Sequence, residues 1–162
     1  MQYIEAPYEY TGDTPSVFLA GGITGTAVWQ YRLTAMLCDT GWAVVNPRRN
    51  EFPMEDSAVG REQIAWEFRH LQRTALIAFW FPYETLCPIT LYELGSATRM
   101  DKPILVGADP DYERRFDLEA QLKLIRPEVK VVDKLGKLAE QIIDAEPGGT
   151  PTTPKEAALC VP

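Results

Sequence analysis

The run Ala75–Phe81, ALIAFWF, is seven consecutive apolar residues bounded by Thr74 and Pro82. It is shorter than an ordinary core helix, and its aromatic content fits an extended strand. A strand points successive side chains to opposite faces, so a run without a polar residue must be covered on both. The chain therefore has to place helices above and below this strand.

The flanking segments supply them. Ser16–Gly21 (SVFLAG), Trp42–Asn46 (WAVVN, stopped by Pro47), Pro103–Gly107 (PILVG) and Val129–Val132 read as further buried strands. Between them lie helical stretches. Ala27–Thr40 carries apolar residues at helical spacing and is closed by Gly41. Gly60–Arg73 presents Ile64, Phe68 and Leu71 as an apolar stripe, and beside it a polar one of Gln63, Glu67 and His70, read as facing solvent at His70. Pro88–Met100 has proline in its first turn, a favoured position. Helices around Phe116–Ile125 and Lys134–Ala145 complete the set. Residues 48–59 read as a polar loop.

Five strands alternating with helices predict an α/β fold: a single flavodoxin-like (Rossmann-like) domain with a five-stranded parallel sheet in the order 2-1-3-4-5. The expected boundaries are an N-terminal extension over 1–15, the domain over 16–145, and a flexible Pro/Gly/Thr-rich tail over 146–162. A chain of 162 residues with 46% hydrophobic composition suits one core of this size.

Composition also narrows the function. A net charge of -7 argues against a nucleic-acid polymer as partner. No apolar run approaches the roughly 20 residues of a membrane span, and the acidic start MQYIEAPYEYTGD lacks a basic-then-apolar leader pattern. Cys38, Cys87 and Cys160 form neither a disulfide framework nor a zinc pattern, so the expected location is the cytoplasm. A single histidine, His70, excludes chemistry built on several.

Ligands of open parallel sheets bind beyond the carboxyl ends of the strands, where the strand order reverses. The unusual residues gather at those ends. The turn Gly21, Gly22, Ile23, Thr24, Gly25 allows close backbone approach, but lacks the first glycine of a dinucleotide fingerprint and the lysine of a P-loop. In Asn46–Arg49 (NPRR), Arg48 and Arg49 suit a phosphate, a substrate carboxylate or a neighbouring glutamate. Glu84 and Cys87 lie in the loop after the central strand. Glu93 falls in the second turn of the next helix, where the helix dipole is expected to keep it ionised for nucleophilic attack on a sugar. Cys87 has no histidine to pair with and reads as packing or substrate contact.

Four motifs in order, VFLAGGITG (Val17–Gly25), VVNPRR (Val44–Arg49), QIAWEFRHL (Gln63–Leu71) and FWFPYETLCPITLYELG (Phe79–Gly95), resemble the nucleoside 2-deoxyribosyltransferase-like family. The resemblance implies a flavodoxin-like fold and a nucleophile at the glutamate of E-L-G, here Glu93. It also implies no metal or organic cofactor, a nucleoside, nucleotide or nucleobase as the small-molecule partner, and a homo-oligomer in which a neighbour completes the pocket. Expected substrate contacts are Gly21, Gly22, Ile23, Thr24, Trp29, Asn46, Arg48, Arg49, Trp80, Glu84 and Cys87. The best-known transferases carry aspartates where this chain has Thr74-Ala75 and Leu86-Cys87. That leaves Glu67 or Glu84 to support the chemistry, Glu67 as acid, base or positioning group. Three readings follow: transfer of a deoxyribosyl group between bases, hydrolysis of a nucleoside or its 5′-monophosphate, and nucleotide sensing without turnover.

Overall fold

A computed structural model describes residues 1–49 and 57–145. The expected loop over 48–59 falls largely outside these residues, and the tail from Glu146 entirely so. The strands are β1 (Gln2–Glu5), β2 (Ser16–Gly21), β3 (Ala43–Asn46), β4 (Leu76–Phe81), β5 (Ile104–Ala108) and β6 (Val131–Val132). The helices are α1 (Trp29–Met36), α2 (Ser57–Arg73), α3 (Pro88–Ala97), α4 (Arg115–Ile125) and α5 (Leu135–Asp144).

All six strands form one parallel sheet in the order β1-β3-β2-β4-β5-β6. The expected count of five is thus corrected to six. The anticipated 2-1-3-4-5 arrangement persists as β3-β2-β4-β5-β6, with β1 added at its edge. Residues read as an N-terminal extension supply that strand. Its register pairs Gln2 with Ala43 and Glu5 with Asn46, and Ala6 N–H continues the ladder to Asn46 O at 3.0 Å. Only Ile4 and Ala6 bury their side chains there, so an edge strand made chiefly of backbone bonds left little apolar signal to read.

Every residue of β4 is buried, as its composition required. Phe79 and Phe81 face a core shared with Trp66, Leu71, Leu94, Leu118 and Leu122, so α2, α3 and α4 cover that side. Ala78 and Trp80 face Trp29, Leu33, Leu37, Leu138 and Ile142, contributed by α1, α5 and the turn after α1. Burying whole aromatic and aliphatic side chains stabilises the fold by about 1.5–3 kcal/mol each.

Several expected helices are shorter than their apolar patterns. In α1 the α-helical ladder stops at Met36, after which Cys38 N–H and Thr40 N–H bond back three residues, to Ala35 O and Leu37 O. It also starts late, because the carbonyls of Thr26 and Ala27 accept Arg48. In α3 the ladder ends at Ala97, and Thr98 Oγ1 donates to Gly95 O at 2.7 Å.

The orientation of α2 corrects the sequence expectation most. Ile64 and Phe68, read as core, are 67% and 64% exposed, whereas Gln63, Trp66, His70 and Leu71 face inward. His70, read as solvent-facing, is buried with its ring 4.0 Å from that of Trp66. Burial is tolerated because both ring nitrogens are used: Nδ1 meets Trp66 O at 2.9 Å, and Nε2 accepts Tyr10 N–H at 3.2 Å. Trp66 Nε1 donates to Tyr8 O, so this face of α2 holds the segment that follows β1. Lys102 closes the other end of the helix by donating to the carbonyls of Leu71, Gln72 and Thr74.

Replacing His70 by alanine leaves Tyr10 N–H without its acceptor and opens a void beside Trp66. The expected loss is about 2–4 kcal/mol of stability, measured by urea denaturation. A cost under ~0.5 kcal/mol would show that the segment after β1 is held by other contacts.

Candidate functional site

A cavity of about 390 Å³ opens at the carboxyl ends of β2 and β4, between α2 and α3. Gly21, Gly22, Ile23 and Thr24 line one side, Ile64 and Glu67 of α2 another, and Thr85, Cys87, Ile89, Thr90 and Glu93 the third. This is the point where the strand order reverses, where an open parallel sheet leaves a crevice. A second hollow, between α3 and α4, contains neither glutamate nor the glycine turn.

The turn after β2 needs glycine for want of space. A Cβ on Gly21 would lie 2.4 Å from Trp29 Cζ2 and 2.4 Å from Trp80 O; one on Gly22 would lie 2.8 Å from Cys87 Sγ. The Gly22 carbonyl accepts Trp29 Nε1 at 2.8 Å and Thr26 Oγ1 at 3.0 Å. Trp29 and Trp80 are therefore packed behind the turn and do not line the cavity.

Asn46 and Arg48 also brace the site from outside the cavity wall. Asn46 is fully buried, donates from Nδ2 to Tyr3 Oη at 2.8 Å, and accepts Arg48 N–H at 3.0 Å. The Arg48 guanidinium donates to Ala27 O, Thr26 O and Gln30 Oε1 at 3.0–3.1 Å. Arg49 lies 3.9 Å from Glu62 and close enough to Glu67 to favour its charged form. Glu84 Oε1 accepts Ala27 N–H at 3.2 Å, tying the loop after β4 to the turn after β2. Of the expected contacts, the structure brings Gly21, Gly22, Ile23, Thr24, Cys87, Glu67 and Glu93 to one cavity.

Cys87 caps α3 from a left-handed backbone conformation, φ 49°, rare for a residue with a side chain. The residue before a proline is disfavoured in the right-handed helical region, and Pro88 imposes that restriction here. The bend turns Sγ onto Gly22. Tyr112 Oη fixes the neighbouring carbonyl of Leu86 at 2.9 Å. Burial pushes the thiol up to about 11, away from the thiolate form that nucleophilic attack needs.

The two glutamates dominate the electrostatics. Burial, with Glu67 opposite, pushes Glu93 up to about 8. This overturns the expectation that the helix dipole keeps it ionised. The reason is position: Leu91 N–H already bonds to Cys87 O, so Glu93 lies beyond the free amides of the first turn. Burial also raises Glu67, against the lowering effects of a 2.8 Å bond from Gln63 Nε2 and of Arg49. Gln63 Nε2 contacts Pro47 O as well, which fixes the amide and aims the Glu67 carboxylate.

Sequence reasoning missed Ile64, Ile89, Thr85 and Thr90 as lining residues. Ile64 was assigned to the wrong face of its helix. Ile89 stands four residues before Glu93, a spacing that offered the signal for a shared face. Among the described residues no three His, Cys, Asp or Glu side chains group as a metal site.

The contact between Gly22 and Cys87 can be tested by itself. Gly22→Ala is expected to cost about 1–3 kcal/mol by overpacking, read from urea denaturation. The same change in a Cys87→Ala background should cost measurably less. Equal costs would show that Pro82, whose Cγ lies 3.0 Å from the added Cβ, sets the limit instead.

No curated protein matches the chain at a significant level. The sequence model of the family described as nucleoside 2-deoxyribosyltransferase like matches residues 14–112, a span that holds the glycine turn, both glutamates and the cap at Cys87. By that match, over more than half of its length, the chain belongs to the nucleoside 2-deoxyribosyltransferase-like family.

Proposed function

We propose that this protein breaks the N-glycosidic bond of a 2′-deoxynucleoside by attack of the Glu93 carboxylate on C1′. The sugar passes through a glycosyl ester of Glu93 to a second base, with retention after two displacements. The observation that carries this reading is that Glu93 and Glu67 face one nucleoside-sized cavity across from a glycine turn. Positive charge developing at C1′ in such a reaction is stabilised by carboxylates held in a partly dry pocket.

A nucleoside suits the lining better than its 5′-monophosphate. No Lys, Arg or His belongs to the cavity wall among the described residues, and Arg48 is committed to three protein oxygens. Among the described lining residues, a phosphate would meet two carboxyl groups and no cationic side chain.

The pocket mouth also bears on assembly. Ile64 and Ile89 line the cavity yet are each 67% exposed, and Phe68 and Tyr92 extend the same helical faces. Apolar side chains grouped around a ligand cavity mark a contact surface. A second copy of the chain is the occupant in this reading, closing the pocket from outside.

Incubation with a 2′-deoxynucleoside, with and without a second free base, tests the chemistry. A new nucleoside supports transfer. Free sugar alone would replace it with hydrolysis, and ligand binding without turnover would leave a sensing module. Glu93→Gln is expected to lower turnover about 10³-fold or more and to abolish a sugar-mass adduct seen on the wild-type protein. For assembly, Phe68→Asp is expected to convert a dimer or larger species to monomer in light scattering and to raise KM. A wild type that is already monomeric at micromolar concentration would refute the assembly.

A further inference from the structure

The helix that carries Glu93 starts from a strained residue. Cys87 is the single non-glycine residue with positive φ among the described residues, at φ 49° and ψ 53°. A residue with a side chain adopts that conformation at a cost, and keeps it where its surroundings hold it there. The Cys87 carbonyl accepts Leu91 N–H at 3.0 Å, which opens the ladder of α3. The bend therefore sets the course of the helix that brings Ile89, Thr90 and Glu93 to the cavity wall. Within its own loop Cys87 is tied to Thr85, by Sγ donating to Thr85 O at 3.4 Å and by its N–H, 3.5 Å from Thr85 Oγ1.

Tyr112 ties this bend to a different strand end. Its placement begins in Asp109-Pro110-Asp111-Tyr112, which has aspartate and proline at the first two positions of a turn, where both are favoured. Tyr112 N–H bonds to Asp109 O at 3.0 Å, and Asp109 Oδ1 accepts Asp111 N–H at 3.0 Å. Asp109 N–H bonds in turn to Phe81 O at 2.9 Å, so the turn after β5 is fixed to the end of β4. The Tyr112 ring is buried with its centroid 5.2 Å from that of Phe81, and its hydroxyl donates to Leu86 O at 2.9 Å. Burial pushes this hydroxyl up to about 12, so it keeps the proton it donates. Tyr112 itself stands outside the cavity wall.

We propose that Tyr112 is a positioning residue for the nucleophile: by holding the Leu86 carbonyl it fixes the left-handed bend at Cys87, and so the direction in which α3 presents Glu93. This role rests on the reading of Glu93 as nucleophile. Attack on C1′ requires the carboxylate oxygen to be aligned with the bond that breaks, and a misplacement of about 1 Å by a remote change can cost about 10²-fold in rate. Glu93 is the sixth residue after Cys87, less than two helical turns away, so a change of direction at the bend is carried to its carboxylate. The same bend turns the Cys87 thiol onto Gly22, where it is buried, so the Tyr112 hydroxyl also governs how well that thiol is covered.

Tyr112→Phe keeps the ring against Phe81 and removes the hydroxyl alone. Its effect on the bend is read without substrate, by iodoacetamide alkylation of Cys87 and Cys38 in the folded protein, followed by mass spectrometry. Cys87 is expected to react about fivefold faster or more as the bend opens locally, with the rate at Cys38, beyond α1, unchanged. No rise at Cys87, or equal rises at both cysteines, would overturn the hold on the bend. Its effect on chemistry is read by base release from the four common 2′-deoxynucleosides with wild type, Tyr112→Phe and Glu93→Gln. Tyr112→Phe is expected to lower kcat by about 10–10²-fold while KM moves by less than about threefold, the split that lost alignment produces. An unchanged kcat, or a loss confined to KM, would overturn the positioning role and leave the nucleophile standing. Unchanged turnover by Glu93→Gln would instead overturn the nucleophile, and with it the positioning role, while the alkylation rates would still decide whether Tyr112 holds the bend.

Discussion

The close backbone approach at Gly21 and Gly22 is the constraint on which the site depends. Gly21 ends β2 in register with Trp80, leaving no room for a side chain between the Trp80 carbonyl and the Trp29 indole. That contact seats α1 against one face of the sheet and sends the following turn toward the loop after β4. Gly22 then meets Cys87, whose left-handed backbone starts α3. The direction of α3 decides where Glu93 points. A methyl group at either glycine would push apart elements that come from β2, α1 and β4, which is how a local steric limit becomes a long-range one.

Around this frame the polar residues divide into braces and cavity groups. Asn46, Arg48 and Glu84 each satisfy backbone groups of the surrounding loops, and their hydrogen bonds are made within the protein. Among the described residues that line the cavity, the ionisable groups with a charge to contribute are the two glutamates. Desolvation, with mutual repulsion added, makes protonation of one of them favourable near neutral pH. The Arg49 guanidinium and the Gln63 amide act on Glu67 and not on Glu93, so the two members of the pair are chemically unequal although both are glutamates.

Much of the architecture was legible along the chain. The apolar run through β4 required cover on both faces, and alternation of strands with helices implied a parallel sheet whose order reverses beside β2. The glycine turn stood out by its place between a strand and a helix, and the E-L-G glutamate by the family resemblance; both reach the cavity. The faces of α2 were not legible. Leu71 is buried as hydrophobic periodicity assigns, but Ile64 and Phe68 are exposed while Gln63 and His70 are buried, the reverse of its assignment for those four. Buried polar groups are tolerated there because distant partners, Pro47 O and Tyr10 N–H, satisfy them. The strand β1 was likewise hidden, since edge pairing rests on backbone groups that every residue carries.

By itself the sequence determined that the runs through β2, β3, β4 and β5 bury as strands, that a glycine turn follows the first of them, and that a glutamate stood early in the helix after the central strand. These follow from local chemistry: the period of the side chains, the missing Cβ, and the distance from a proline. The tertiary structure alone decided that Glu93 would be pushed toward its protonated form, that Glu67 would face it, and that Arg48 would spend its charge on the protein. A carboxyl group's proton affinity depends on how much water surrounds it and what stands across the cavity. Both are set by elements that meet only when the sheet is assembled.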